Sequence, residues 1–131
     1  MIFVTLPVRD LPASRAFYEA LGFRVNEHSS DVTTAALVVD ATIVVKLVTR
    51  EAFADLVTGE VGEPAAATSV VNCLTVTARA AVDELVARAL GAGGKPWLPA
   101  REEETTYTGS FTDPDGHVWE LSWMDQLHVV N

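Results

Sequence analysis

Basic residues are scarce in this chain. Nine lysines and arginines stand against eighteen aspartates and glutamates, for a net charge of −9. That balance excludes nucleic acid as a natural partner, because phosphate binding calls for a basic face. It favours solubility, and it would suit attraction of a cationic ligand. Cysteine is nearly absent too: Cys73 stands alone and cannot form an internal disulfide. No apolar run reaches the roughly 18 residues of a membrane span. The longest candidates, 35–39 and 43–45, are strand-sized. The opening Met1-Ile2-Phe3-Val4 enters an apolar run at once, without the basic region and cleavage site of a secretion signal. The expectation is a cytoplasmic protein with no membrane partner. What is present fits one globular domain: 131 residues, 49% hydrophobic, three tryptophans. A chain of this size buries roughly two-thirds of its unfolded surface.

A strand-helix-strands order occurs twice. Residues 2–8 alternate and are rich in strand formers. A helix is expected over 12–21: Asp10 or Ser14 can cap it, Pro12 suits its first turn, and Gly22 stops it. Ala16, Phe17, Ala20 and Leu21 give it an apolar face. Strands follow at 23–27, 33–39 and 42–49, then a short helix at 51–57. The glycines, proline and alanines of 58–68 read as a linker. The second half runs strand 69–77, helix 80–90, then strands 95–100, 106–112 and 117–124, with a tight turn at Asp113-Pro114-Asp115-Gly116. Arg101-Glu102-Glu103-Glu104 reads as a solvated edge or loop.

The halves echo each other weakly, Glu19-Ala20-Leu21-Gly22 in Arg88-Ala89-Leu90-Gly91 and Leu6-Pro7-Val8 in Leu74-Thr75-Val76. A repeat of about 70 residues is too long for a solenoid unit and suits a duplicated module. The expected fold is α+β, two βαβββ modules forming a curved mixed-sheet cleft with helices outside. Module one covers about 1–57, the linker about 58–68 and module two about 69–131 of a single domain.

Val8-Arg9-Asp10-Leu11-Pro12-Ala13-Ser14, with Ala16-Phe17-Tyr18 and Leu21-Gly22-Phe23, resembles the first βα unit of the vicinal oxygen chelate superfamily. Phe111-Thr112-Asp113-Pro114-Asp115-Gly116-His117-Val118-Trp119-Glu120-Leu121 resembles its closing hairpin. The superfamily includes glyoxalase I, extradiol dioxygenases, fosfomycin-modifying transferases, epimerases and bleomycin-binding resistance proteins, so the resemblance implies the fold and not one activity. It also implies where a divalent metal would sit, on His, Gln or Glu of the first and last strands of each module. Those places here are Phe3 and Val71 on the first strands, with Asn72 if the register slips by one. On the last strands they are Glu120 and, counted from the Asp40-Ala41 turn, Val45. Apolar side chains cannot replace N and O donors, and one carboxylate does not make a tight site. No metal or other cofactor is therefore expected, unless donors come from outside these positions. His28, His117 and His128 read as ordinary polar residues.

Strand alternation sends Trp119, Leu121 and Trp123 under the helix and leaves Val118, Glu120 and Ser122 for the cleft. Phe3 and Thr5 of the first strand, with Val45, Val71 and Cys73, are expected to face it as well. Trp97 and Tyr107 are placed at its mouth or at an interface. Glu120 is either a general base, an anchor for a cation, or a carboxylate satisfied by Tyr107, Thr5 or a backbone amide. The face of Lys46 stays open. The leading expectation is a metal-free protein that binds a small, partly apolar molecule, in the manner of bleomycin sequestration, as a homodimer; the acidic balance would suit a cationic ligand without showing one. A metal-dependent lyase, isomerase or dioxygenase, and an interaction protein without ligand, are the alternatives.

Overall fold

The alternating segment at the start of the chain becomes strand β1 (Ile2–Val8) and the capped segment becomes helix α1 (Leu11–Ala20). A computed structural model describes residues 1–125; His128 lies outside the described residues. The first half continues with β2 (Arg24–Asn26), β3 (Thr34–Asp40), β4 (Ile43–Thr49) and the short helix α2 (Arg50–Ala54). The second half contains β5 (Val71–Val76), α3 (Arg79–Gly91), β6 (Lys95–Pro96), β7 (Arg101–Glu102), β8 (Thr106–Thr112) and β9 (Val118–Met124). The chain divides into two compact units between Ala67 and Thr68.

Each unit is a mixed sheet with a helix on one face. In the first, the order is β1-β4-β3-β2, with β1 parallel to β4 and the other pairs antiparallel. In the second, it is β5-β9-β8-β6, with β5 parallel to β9 and β7 also paired to β8. The parallel pairs need a crossover, and α1 and α3 belong to those crossovers. These are two βαβββ modules, α+β in class.

Asp10, not Ser14, caps α1: its Oδ1 accepts from Ala13 N at 3.1 Å, while Ser14 is buried inside the helix. Phe17 and Tyr18 are buried, their rings edge to face at 5.0 Å, and Tyr18 stacks on Phe23 at 5.8 Å. Leu37, Val45 and Leu47 complete this core.

Several boundaries differ from expectation, and the helix expected over 51–57 spans Arg50–Ala54. The strand expected at 23–27 stops at Asn26, because the Asn26 side chain turns to accept from His28 N at 3.1 Å and starts a 3-10 turn. The strand expected at 95–100 is only β6, since Pro96 and Pro99 cannot donate to a ladder. Within the run read as a solvated edge or loop, Arg101 and Glu102 form β7, an exposed strand with Arg101 opposite Thr108 and Glu102 opposite Tyr107. The segment read as a linker is tied to the first unit. Arg9 pairs with Glu63, and Arg50 donates to the Gly62 and Val61 carbonyls at 3.1 and 3.3 Å.

Candidate functional site

Register decides which side chains share a face, because directly opposed residues of neighbouring strands point the same way. In the second unit, Tyr107, Gly109 and Phe111 lie opposite Trp123, Leu121 and Trp119. This set faces α3. A Cβ on Gly109 would come within 2.9 Å of Val82 and Val86 of that helix, and Tyr107 Oη donates to Asp83 at 2.7 Å. Tyr107 is therefore not a cleft residue. Its phenol pKa is raised, first by the bond to Asp83 and then by desolvation. Arg79 lies over its ring at 4.6 Å and pairs with Glu102 at 2.7 Å.

The other face carries Glu120, with Cys73 opposite it on β5 and Ser110 opposite it on β8. Val71 and Val118 form the neighbouring pair, Thr75 and Ser122 the next. Ser122 is buried and its hydroxyl bonds to Thr108 at 2.9 Å. Val71 is 48% exposed, and Cys73 is exposed. Arg101 supplies what sequence reasoning missed. It sits on this face opposite Thr108, and its guanidinium donates to Glu120 Oε2 at 2.8 Å. The partner of that carboxylate is thus Arg101, while Tyr107, one of the expected partners, bonds to Asp83 on the helix side. Partial desolvation and then the Glu120 charge push the Cys73 thiol up, with Arg101 pulling the other way. A raised thiol is a poor nucleophile at neutral pH. Trp97, beyond β6, is 44% exposed, and the next residue fixes the segment: Leu98 N donates to Ser110 Oγ at 3.0 Å.

In the first unit, Phe3 lies opposite Val44 and Thr5 opposite Lys46, on the face turned away from α1. Val45 pairs with Val4 and Leu37 and is fully buried on the α1 side, so it is not a cleft residue. Matching the parallel pairs of the two units puts Phe3 with Val71, Thr5 with Cys73, and Lys46 with Glu120. The count from the turn fails because the hairpins differ. Two residues separate β3 from β4, with a bulge at Val38/Asp40, while residues 113–117 separate β8 from β9. Aligning the buried positions of the strands, instead of the turns, would have found Lys46. Arg101 has no comparable sequence signal. Among the described residues, no three His, Cys, Asp or Glu side chains gather as a metal-ligand group.

The sequence pattern of the Glyoxalase/Bleomycin resistance protein/Dioxygenase superfamily matches residues 2–121. The chain belongs to this superfamily. No curated protein matches it in sequence. Among solved structures, a hypothetical protein from S. aureus is 25% identical with a TM-score of 0.81, the match covering 94% of this chain and 92% of that one. A glyoxalase-related enzyme from Fulvimarina pelagi is 26% identical with a TM-score of 0.79, covering 94% and 86%. The fosfomycin resistance protein FosX from Mesorhizobium loti shares the fold at 20% identity and a TM-score of 0.71, covering 100% and 97%.

Proposed function

We propose that this superfamily member binds a small, partly apolar molecule on the sheet faces turned away from α1 and α3, without a resident divalent metal. The observation that carries this reading is the bond between Arg101 and Glu120. With the register corrected, the four positions where the resemblance implies metal donors are Phe3, Lys46, Val71 and Glu120. Two are apolar and one is a cation. The fourth, the one carboxylate, already has a guanidinium against it. That donor set does not fit a divalent cation. Phe3 is 57% exposed and Val71 48%, which supports a ligand with an apolar part. Trp97, Thr5, Cys73 and Ser122 stay in the proposed site. Tyr107 and Val45 leave it. The expected cationic ligand loses its nearest support, because Arg101 balances Glu120. In this reading the protein is a cytoplasmic homodimer, a state that sedimentation at micromolar concentration checks.

The test is metal content together with linkage. Purified protein should carry well under one equivalent of Zn, Ni, Mn or Fe, and a chelator should leave Tm unchanged. Glu120→Ala should release no metal. A stoichiometric ion lost in Glu120→Ala would overturn the reading in favour of a metal-dependent enzyme.

A further inference from the structure

Lys46 interrupts an otherwise apolar strand, Ile43-Val44-Val45-Lys46-Leu47-Val48, and it does so on the face turned away from α1. It is half-buried, between Thr5 on β1 and Ala36 on β3. Both directly opposed residues have small side chains. Along its strand and across from it stand Val44, Val48 and Phe3. One further cation shares this face, Arg24, opposite Val38 on the outer strand β2. Among the described residues neither has an ion-pair partner, although the chain holds twice as many acidic as basic residues. At the hairpin end of β3, Asp40 is engaged in its own turn, accepting from Thr42 N at 2.6 Å and Thr42 Oγ1 at 2.9 Å. The contrast with the second unit is direct, for there the cation Arg101 has Glu120 beside it.

An ammonium held partly out of water without a counter-charge costs solvation energy, and an anion placed against it recovers that cost. We propose that the first unit's face binds the anionic group of a small organic acid, with Lys46 as the anchor and Phe3 and Val44 as the seat for its apolar part. This rests on the small-molecule reading above and names the ligand's charge. Lys46 donates up to three hydrogen bonds to a carboxylate or phosphoryl-type oxygen. Arg24 adds attraction from the strand edge without direct contact.

The experiment uses the full chain at low salt and three probes with the same five-carbon alkyl chain: hexanoate, hexanamide and pentyltrimethylammonium. Thermal shift and NMR titration read binding. Hexanoate should bind, with the amide and the cation weaker by about tenfold or more, the usual scale for losing one charge-assisted hydrogen bond. Lys46→Met should lose that preference and Lys46→Arg should keep most of it. Arg88→Met removes the same charge from an exposed helix position and should bind hexanoate as the native protein does. If Lys46→Met is unstable, Lys46→Gln serves in its place. Equal binding of acid and amide, a preference for the cation, or full hexanoate binding by Lys46→Met would overturn the inference and leave small-molecule binding intact. No binding by any probe would also overturn it, while the metal-free reading is decided separately by metal content.

Discussion

On the helix side, Leu6, Val8, Val45 and Leu47 of the first unit take the positions that Leu74, Val76, Trp119 and Leu121 take in the second. Apart from their sizes, these residues do the same thing: they bury a sheet face under a crossover helix. On the other side the units part company. Thr5 and Lys46 stand where Cys73 and Glu120 stand, and only the second unit closes its charge internally, through Arg101. A burial constraint acts on one face of each sheet and fixes its register, which leaves the opposite face free to differ in chemistry. The binding face proposed above is the side of each sheet turned away from α1 and α3.

The hairpins that close the two sheets give the largest measurable contrast. Asp113 is fully buried, and its Oδ1 accepts from Asp115 N at 3.0 Å and His117 N at 2.9 Å. Asp40 does a similar job for Thr42 in the first unit, but it is exposed. Asp113→Ala leaves one buried and one part-buried N–H group without their acceptor and should cost about 2–4 kcal/mol in urea unfolding. Asp113→Asn keeps an acceptor oxygen and should cost clearly less. Asp40→Ala should be the mildest of the three, since water replaces the lost bonds. Equal losses at Asp113 and Asp40 would erase the contrast.

Helix approach gives the next contrast. Gly109 lies opposite Leu121, and its counterpart by register is Ala35, opposite Leu47. The second unit has no room for a Cβ there, because Val82 and Val86 would lie 2.9 Å away. Gly109→Ala should destabilise by about 1–3 kcal/mol, the range for overpacking a core. Ala35→Gly should also destabilise, through lost packing and added chain freedom. If Val82→Ala restores stability to Gly109→Ala, close helix approach is the cause. If it does not, the strand itself resists the substitution.

The order of elements was legible because each half shows alternation, then helical spacing with a stop signal, then alternation again. The face of Glu120 was legible for the same reason, since Trp119 and Leu121 beside it demand burial. The place of Lys46 was not, because hairpins of unequal length break any count from the turn. Val45, one residue away, is the result of that miscount. Tyr107 was misplaced because its strand carries Gly109 at the position that faces α3, so alternation of apolar side chains is interrupted where it matters. Arg101 reaches Glu120 only because a two-residue strand, past two prolines, pairs with β8. Pairing of that kind is a tertiary outcome with no local pattern.

The crossover helices supply the smallest contrast and the cleanest one. Both begin after an extended residue, at Asp10 for α1 and at Ala78 for α3. Asp10 offers a carboxylate to Ala13 N, whereas Ala78 has nothing to offer and α3 starts without a side-chain cap. Four N–H groups at a helix start have no partner within the helix, and a cap satisfies one of them. Ala78 already has the backbone shape of a capping residue, with φ −144° and ψ 144°, so no rearrangement is needed to use a hydroxyl there. Ala78→Ser should therefore stabilise the protein by about 0.5–1 kcal/mol, and Asp10→Ala should destabilise it by about 1 kcal/mol. Urea unfolding followed by circular dichroism reads both. Amide exchange separates the mechanism from a general effect, since protection should rise at Ala80 and Ala81 in the first variant and fall at Ala13 in the second. A stability gain in Ala78→Ser without new protection at α3 would mean that the serine acts elsewhere than as a cap.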